Sequence, residues 1–93
     1  MKTLEIIDKE QISNFQFSKK EVLLTPDDLK RRFADLQRAQ TLGNLLQSKV
    51  KLIFETADSR IFQVETTIWA VGNDFISLKG GMVIPVNAIH KVD

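Results

Sequence analysis

The run Thr25-Pro26-Asp27-Asp28 fixes where a helix begins, and with it the class of fold open to the rest of the chain. A threonine hydroxyl accepts a hydrogen bond from a free first-turn amide, and a proline at the first helical position lacks the amide that would be orphaned. Two acids then favour the positive end of the helix dipole. Behind this cap Leu29, Phe33, Leu36 and Ala39 recur at helical spacing, and Leu42 completes an apolar stripe. Gly43-Asn44 supplies a stop. The pattern predicts a helix over 26–42, within a helix-and-cap unit of 25–44, packed through Leu29, Phe33 and Leu36.

From residue 48 onward the period changes from helical to two-residue alternation. Val50, Leu52 and Phe54 alternate with Lys49, Lys51 and Glu55, and Ile53 breaks the polar side. A turn at Ala57-Asp58-Ser59 leads into the long run Arg60–Val71. There Phe62, Val64, Thr66, Ile68 and Ala70 form one face and Gln63, Glu65 and Thr67 the other. Gly72-Asn73-Asp74 and Gly80-Gly81 turn the chain again, and Phe75–Lys79, Met82–Val86 and Ile89–Val92 supply three further short strands. One helix and five strands, the second long enough to bend, predict an α+β fold. Its helix packs on a five-stranded antiparallel small barrel over 48–93, of the SH3-like or Sm-like kind, with a helix on an open sheet as the alternative.

Residues 1–24 read as an extended docking segment, with β-like pieces at Leu4–Ile7 and Phe15–Phe17 around the polar Asp8–Gln11. Ninety-three residues leave no room for a second core, so the three zones form one domain. With 43% apolar and 27% charged residues the chain is globular rather than disordered. It has no cysteine, which excludes a disulfide framework and a thiolate metal site. Acids interrupt the N-terminal apolar residues, and no apolar stretch approaches the roughly 18 residues of a membrane helix. The expected location is cytoplasmic, with no membrane partner.

Thirteen basic and twelve acidic residues give a net charge of +1. A protein that neutralises phosphates shows a basic excess, and here the charges are near balance in both halves: eight basic and seven acidic residues in 1–47, five of each in 48–93. The basic cluster Lys30, Arg31, Arg32 and Arg38 lies on the helix, where Asp27, Asp28 and Asp35 stand at pairing distance, which suits a solvated face. His90 has no second histidine to complete a metal site and no partner in sequence for acid–base work. Ser and Thr are the only conventional nucleophiles, none in an elbow context, and Gly80-Gly81 joins two strands rather than opening a helix onto a phosphate. The chain reads as a non-enzyme without a cofactor.

A candidate binding surface combines Trp69, Lys79, Lys49 and Lys51 with the helix arginines Arg31 and Arg38: an aromatic and cations of the kind that hold single-stranded nucleic acid. Strict alternation puts Trp69 outside, near Ile53, where a soluble monomer seldom leaves an apolar patch bare. The segment with Phe15 and Phe17 is its expected cover, from the same chain or exchanged with a second copy.

A helix followed by five strands resembles the Sm-like fold, including its bacterial RNA-chaperone branch. In that branch an aromatic-Lys-His run near the end of the fourth strand helps bind RNA. Pro85, Val86 and Asn87 stand at those positions here, so the RNA site is not carried over. A second resemblance rests on Leu29…Arg32…Asp35-Leu36…Arg38-Ala39…Leu42-Gly43-Asn44 and Lys49-Val50-Lys51…Phe54-Glu55. It continues through Val64-Glu65-Thr66-Thr67-Ile68-Trp69-Ala70, Leu78-Lys79-Gly80-Gly81 and Ile84-Pro85-Val86. These look like a small uncharacterised bacterial family, which implies no activity. The expected function is a non-enzymatic interaction module that binds protein, itself first; the alternative is an Sm-like nucleic-acid binder. Pro85 cannot donate to a ladder, so a monomer or dimer is expected rather than a six- or seven-membered ring.

Overall fold

The computed structural model describes residues 4–93. It is an α+β fold with one long helix, α1 (Pro26–Leu46), and seven strands among the described residues. The strands are β1 (Leu4–Ile7), β2 (Val50–Glu55), β3 (Ile61–Thr66), β4 (Ile68–Val71), β5 (Phe75–Leu78), β6 (Val83–Pro85) and β7 (Ile89–Val92). Short 3₁₀ turns cover Lys9–Asn14 and Val86–Ala88.

The cap forms as its chemistry dictates, with the Asp28 amide donating to Thr25 Oγ1 at 3.2 Å. The helix, however, runs past Gly43-Asn44 to Leu46. Gly43 is not a stop but the point of closest approach: a Cβ there would lie 2.3 Å from the carbonyl oxygen of Ile68. The helix closes instead at Gln47, in the left-handed region at φ 52, whose N–H donates to the Gly43 carbonyl at 2.9 Å.

The buried face of α1 also differs from the expected stripe. It is Arg32, Leu36, Ala39 and Gly43, whereas Leu29 and Leu42 sit on its flanks and Phe33 is 59% exposed. Hydropathy placed Arg32 on the polar side. The guanidinium is in fact buried, donating to both Glu21 carboxylate oxygens, at 2.7 Å from Nη1 and 2.5 Å from Nη2. Nη1 also donates to the Ile89 carbonyl at 3.0 Å. A buried charge held by a carboxylate and a carbonyl occupies a core-facing position that an apolar count assigns elsewhere.

The expected five-stranded antiparallel barrel is replaced by two sheets, neither closed on itself: a four-stranded sheet in the order β1-β3-β2-β7 and a three-stranded sheet β4-β5-β6. β1 adds a strand in parallel to β3, with Leu4 opposite Ile61 and Ile7 opposite Val64. The long run Arg60–Val71 does not stay one strand, because Thr66, Thr67 and Ile68 are buried in succession and break the alternation. The chain bends at Thr67 and passes from the first sheet into the second. Between the sheets lies the core, with Leu52, Phe54, Val64, Ile68, Ile76 and Ile84 fully buried. α1 covers it along β4 and β7.

The N-terminal segment packs against the other side of that core. Ile12 is buried, and the Phe15 ring lies 4.5 Å from that of Phe62 while Phe17 lies 5.3 Å from Phe54. Phe15–Phe17 forms a single bridge, Phe17 to Thr56, rather than a strand. Asn87 Nδ2 donates to the Ser18 and Lys20 carbonyls, and the Glu21–Arg32 pair ties the segment to α1. Arg60 joins β1 to the β2–β3 turn through Glu5 at 2.8 and 3.0 Å.

Candidate functional site

The residues singled out from the sequence separate into three places. Lys49, Lys51 and Lys79 line one open groove of about 660 Å³, joined by Lys9, which sequence reading missed. Lys79 Nζ donates to Gln47 Oε1 at 2.9 Å, so the left-handed helix cap helps fix this cation. Asp8, Glu10 and Glu65 line the same groove, and Glu65 stands directly opposite Lys51 across the β2–β3 ladder. The groove is therefore close to charge-balanced, and no aromatic side chain lines it.

The helix arginines lie elsewhere. Arg38 Nη1 bonds to Asp35 Oδ1 at 3.2 Å. Arg31 lines a separate hollow of about 500 Å³ beside β7, with Asp28, Asp35, His90, Lys91 and Asp93. His90 Nε2 meets Glu55 Oε1 at 2.9 Å, a pairing across β7 and β2 that 35 residues of sequence separation concealed. The pair links β7 to β2. Among the described residues no group of three His, Asp or Glu stands together as a metal site.

Trp69 occupies the third place. Ile68 pairs with Leu78 and Ala70 with Ser77, so Trp69 is the extra residue of a bulge in β4. Two residues then stand opposite one, and Trp69 and Ala70 are both exposed on the outer face of the three-stranded sheet. The N-terminal segment does not cover Trp69, which is 47% exposed. Ile53 does not join it either, lying on the other sheet between Gln63 and Lys91.

What does join Trp69 are Phe75 and Val83, 56% and 50% exposed, which no pattern in the sequence places outside. The pairing follows from register. Phe75 stands opposite Pro85 and Ser77 opposite Val83, alternating with Ile76 and Leu78, which point into the core. The outer face of β4-β5-β6 is thus Trp69, Ala70, Phe75, Ser77, Val83 and Pro85, without a charged group. Leu29 and Phe33 of α1 line a separate hollow of about 210 Å³ together with Arg32, Leu36, Val71 and Val86.

The free edge of this sheet is blunted. Leu78 N donates to Met82 O and Val86 N to Asp74 O, both at 2.8 Å. These bonds fix Phe75–Pro85 as a pair whose backbone groups point away from each other. The missing amide of Pro85 therefore faces the outer edge of β6, where a further strand would need it.

Among the described residues no helix is long and apolar enough to cross a membrane. No family model, curated protein or solved structure matches the chain.

Proposed function

We propose that the chain is a non-enzymatic interaction module that binds protein through the uncharged outer face of β4-β5-β6. The observation behind this reading is the exposure of Trp69, Phe75 and Val83 side by side on a face with no charge. Interface centres are depleted in charge and enriched in aromatic residues, and a contiguous patch of this kind is seldom left to water. We further read the two sheets as an opened SH3-like small barrel: the bend at Thr67 links them, and β7 returns to pair with β2. A cysteine-free chain suits the reducing cytoplasm.

The second reading, an Sm-like nucleic-acid binder, draws on Lys9, Lys49, Lys51 and Lys79 around one groove. Against it stand the three acids in that groove and the absence of Trp69 from its lining. Two measurements separate the readings. The native protein should bind an apolar dye, and Phe75→Ser with Val83→Ser should remove that binding. Fluorescence anisotropy with short RNA and DNA should show no tight binding. Micromolar binding that weakens steeply with salt and is lost in Lys49→Ala with Lys51→Ala would establish the second reading instead.

A further inference from the structure

We propose that the occupant of the outer face of β4-β5-β6 is a second copy of the same chain, placed face to face across a two-fold axis. The inference rests on the reading of that face as a protein-binding surface and names its partner.

Area is the first argument. Trp69, Phe75 and Val83 are 47%, 56% and 50% exposed. Taking about 150–250 Å² for a whole aromatic side chain, these three leave roughly 300 Å² of apolar surface. With Ala70, Ser77 and Pro85 between them the face stays below the roughly 800 Å² per partner of a standard interface, in the range of weak contacts that form at high protein concentration.

Charge is the second. Twenty-five of the 93 residues are charged, thirteen basic and twelve acidic, yet none stands on this face. A partner chosen by charge would find nothing to read there, and a like-charged rim would repel nothing at the centre. The surface that certainly shares this chemistry is the same face of another copy, and a two-fold contact requires the same patch on both sides.

The edge is the third. Pro85 turns its amide-less nitrogen to the open side of β6, so copies cannot extend the sheet strand to strand through an unbroken ladder. Face-to-face packing is the arrangement left open. It closes after two copies, because the patch is used up, and so gives a dimer rather than a ring or a filament.

Ser77 tests this directly. It lies on the middle strand, opposite both Ala70 and Val83, and is half-buried, so a longer charged side chain there projects from the centre of the face. Light scattering behind a sizing column, run from about 1 µM to about 1 mM, should show the wild type rising from one-chain to two-chain mass. Emission of the single tryptophan, Trp69, should move to the blue over the same range. Ser77→Glu and Ser77→Lys should each associate at least about tenfold more weakly, since like charges then meet at the axis. An equimolar mixture of the two should recover the two-chain mass, which a merely misfolded variant would not do. If either variant unfolds, Val83→Glu and Val83→Lys on the edge strand replace the pair. One-chain mass throughout, a ring mass, or a mixture that stays monomeric overturns the proposal. In the first case, dye binding at the face would leave the interaction reading standing and its loss would remove that too.

Discussion

The two sheets share one core and present opposite chemistry to the outside. On β1-β3-β2-β7 the outward positions include Lys51, Glu55, Gln63, Glu65 and Lys91, with Ile53 half-buried between Gln63 and Lys91 and Ile6, 78% exposed opposite Gln63, as an apolar exception set among charges. That is the ordinary bargain of a one-sided sheet, apolar within and polar towards water. On β4-β5-β6 the same alternation turns Trp69, Phe75 and Val83 outward with no charge among them. A second difference lies in cover. The chain lays its own Phe15 and Phe17 over the Phe54–Phe62 side of the core and clamps that segment through Glu21 and Arg32. Nothing in the described chain is laid over Trp69. Where the sequence meant a surface for water it used charge, and where it meant a surface to be buried internally it supplied a lid. The outer face of the second sheet has neither, and on that difference rests the proposal that it is a binding surface.

The comparison can be broken most forcefully with two phenylalanines. Phe54 is fully buried under the first sheet and Phe75 stands outside the second. Phe54→Ala should cost about 3–5 kcal/mol in chemical denaturation, while Phe75→Ala at dilute concentration should stay within about 0.5 kcal/mol. Equal losses would mean that the outer face of β4-β5-β6 is core after all. The helix offers the next contrast. Leu36→Ala should cost about 2–5 kcal/mol, because Leu36 lies in the buried face. Phe33→Ala should cost less than about 1 kcal/mol, since that side chain is mostly in solvent. If Phe33 proves the more costly, the helix is rotated from the arrangement fixed by Gly43 and Ile68.

The clamp on the covered side has a pH signature. Burial works to raise the pKa of the Glu21 carboxyl, but the Arg32 hydrogen bond, the Leu23 amide and the Arg32 charge outweigh it and hold the group below its ordinary 4.5. A carboxyl whose folded pKa is depressed stabilises the fold fully above its unfolded pKa. That contribution is lost as pH falls from about 4.5 through the lower folded value. Thermal unfolding followed from neutral pH downward should therefore show Glu21→Gln less stable than wild type near pH 7, with the gap closing below about pH 4.5. A gap independent of pH would show that the carboxylate charge contributes nothing to the clamp. The smallest effect is expected on the first sheet's outer face, where Gln63→Lys should change stability by less than about 0.5 kcal/mol and leave solution mass unchanged.

The cap at Thr25, the existence of α1 and the strands of 48–93 were legible because each depends on neighbours in sequence. Three features were not, and each for a physical reason. Arg32 belongs to the buried face only because Glu21 and the Ile89 carbonyl come to it from elsewhere in the chain, which no helical count reveals. The break at Thr67 is visible only as consecutive burial, since Thr suits either side of a strand. The extra strand β1 pairs in parallel with β3 across more than fifty residues, and four residues offer too short a pattern to announce a partner. At the candidate site, Lys49, Lys51 and Lys79 do come together, but Arg31, Arg38 and Trp69 do not join them. Trp69 was legible as outward-facing, whereas its neighbours Phe75 and Val83 were not, because a short strand gives too few residues to fix which side is the core.

The most direct measurement of the central claim uses Trp69 as the only indole in the chain. Acrylamide quenching of its emission should be strong in dilute protein, as befits a half-exposed ring, and should fall as protein concentration rises and the face is covered. Ser77→Glu should keep the ring quenchable at every concentration. Quenching that is weak even in dilute protein, or that stays unchanged from the lowest concentration to the highest, would contradict the claim that this uncharged face is where the molecule meets its partner.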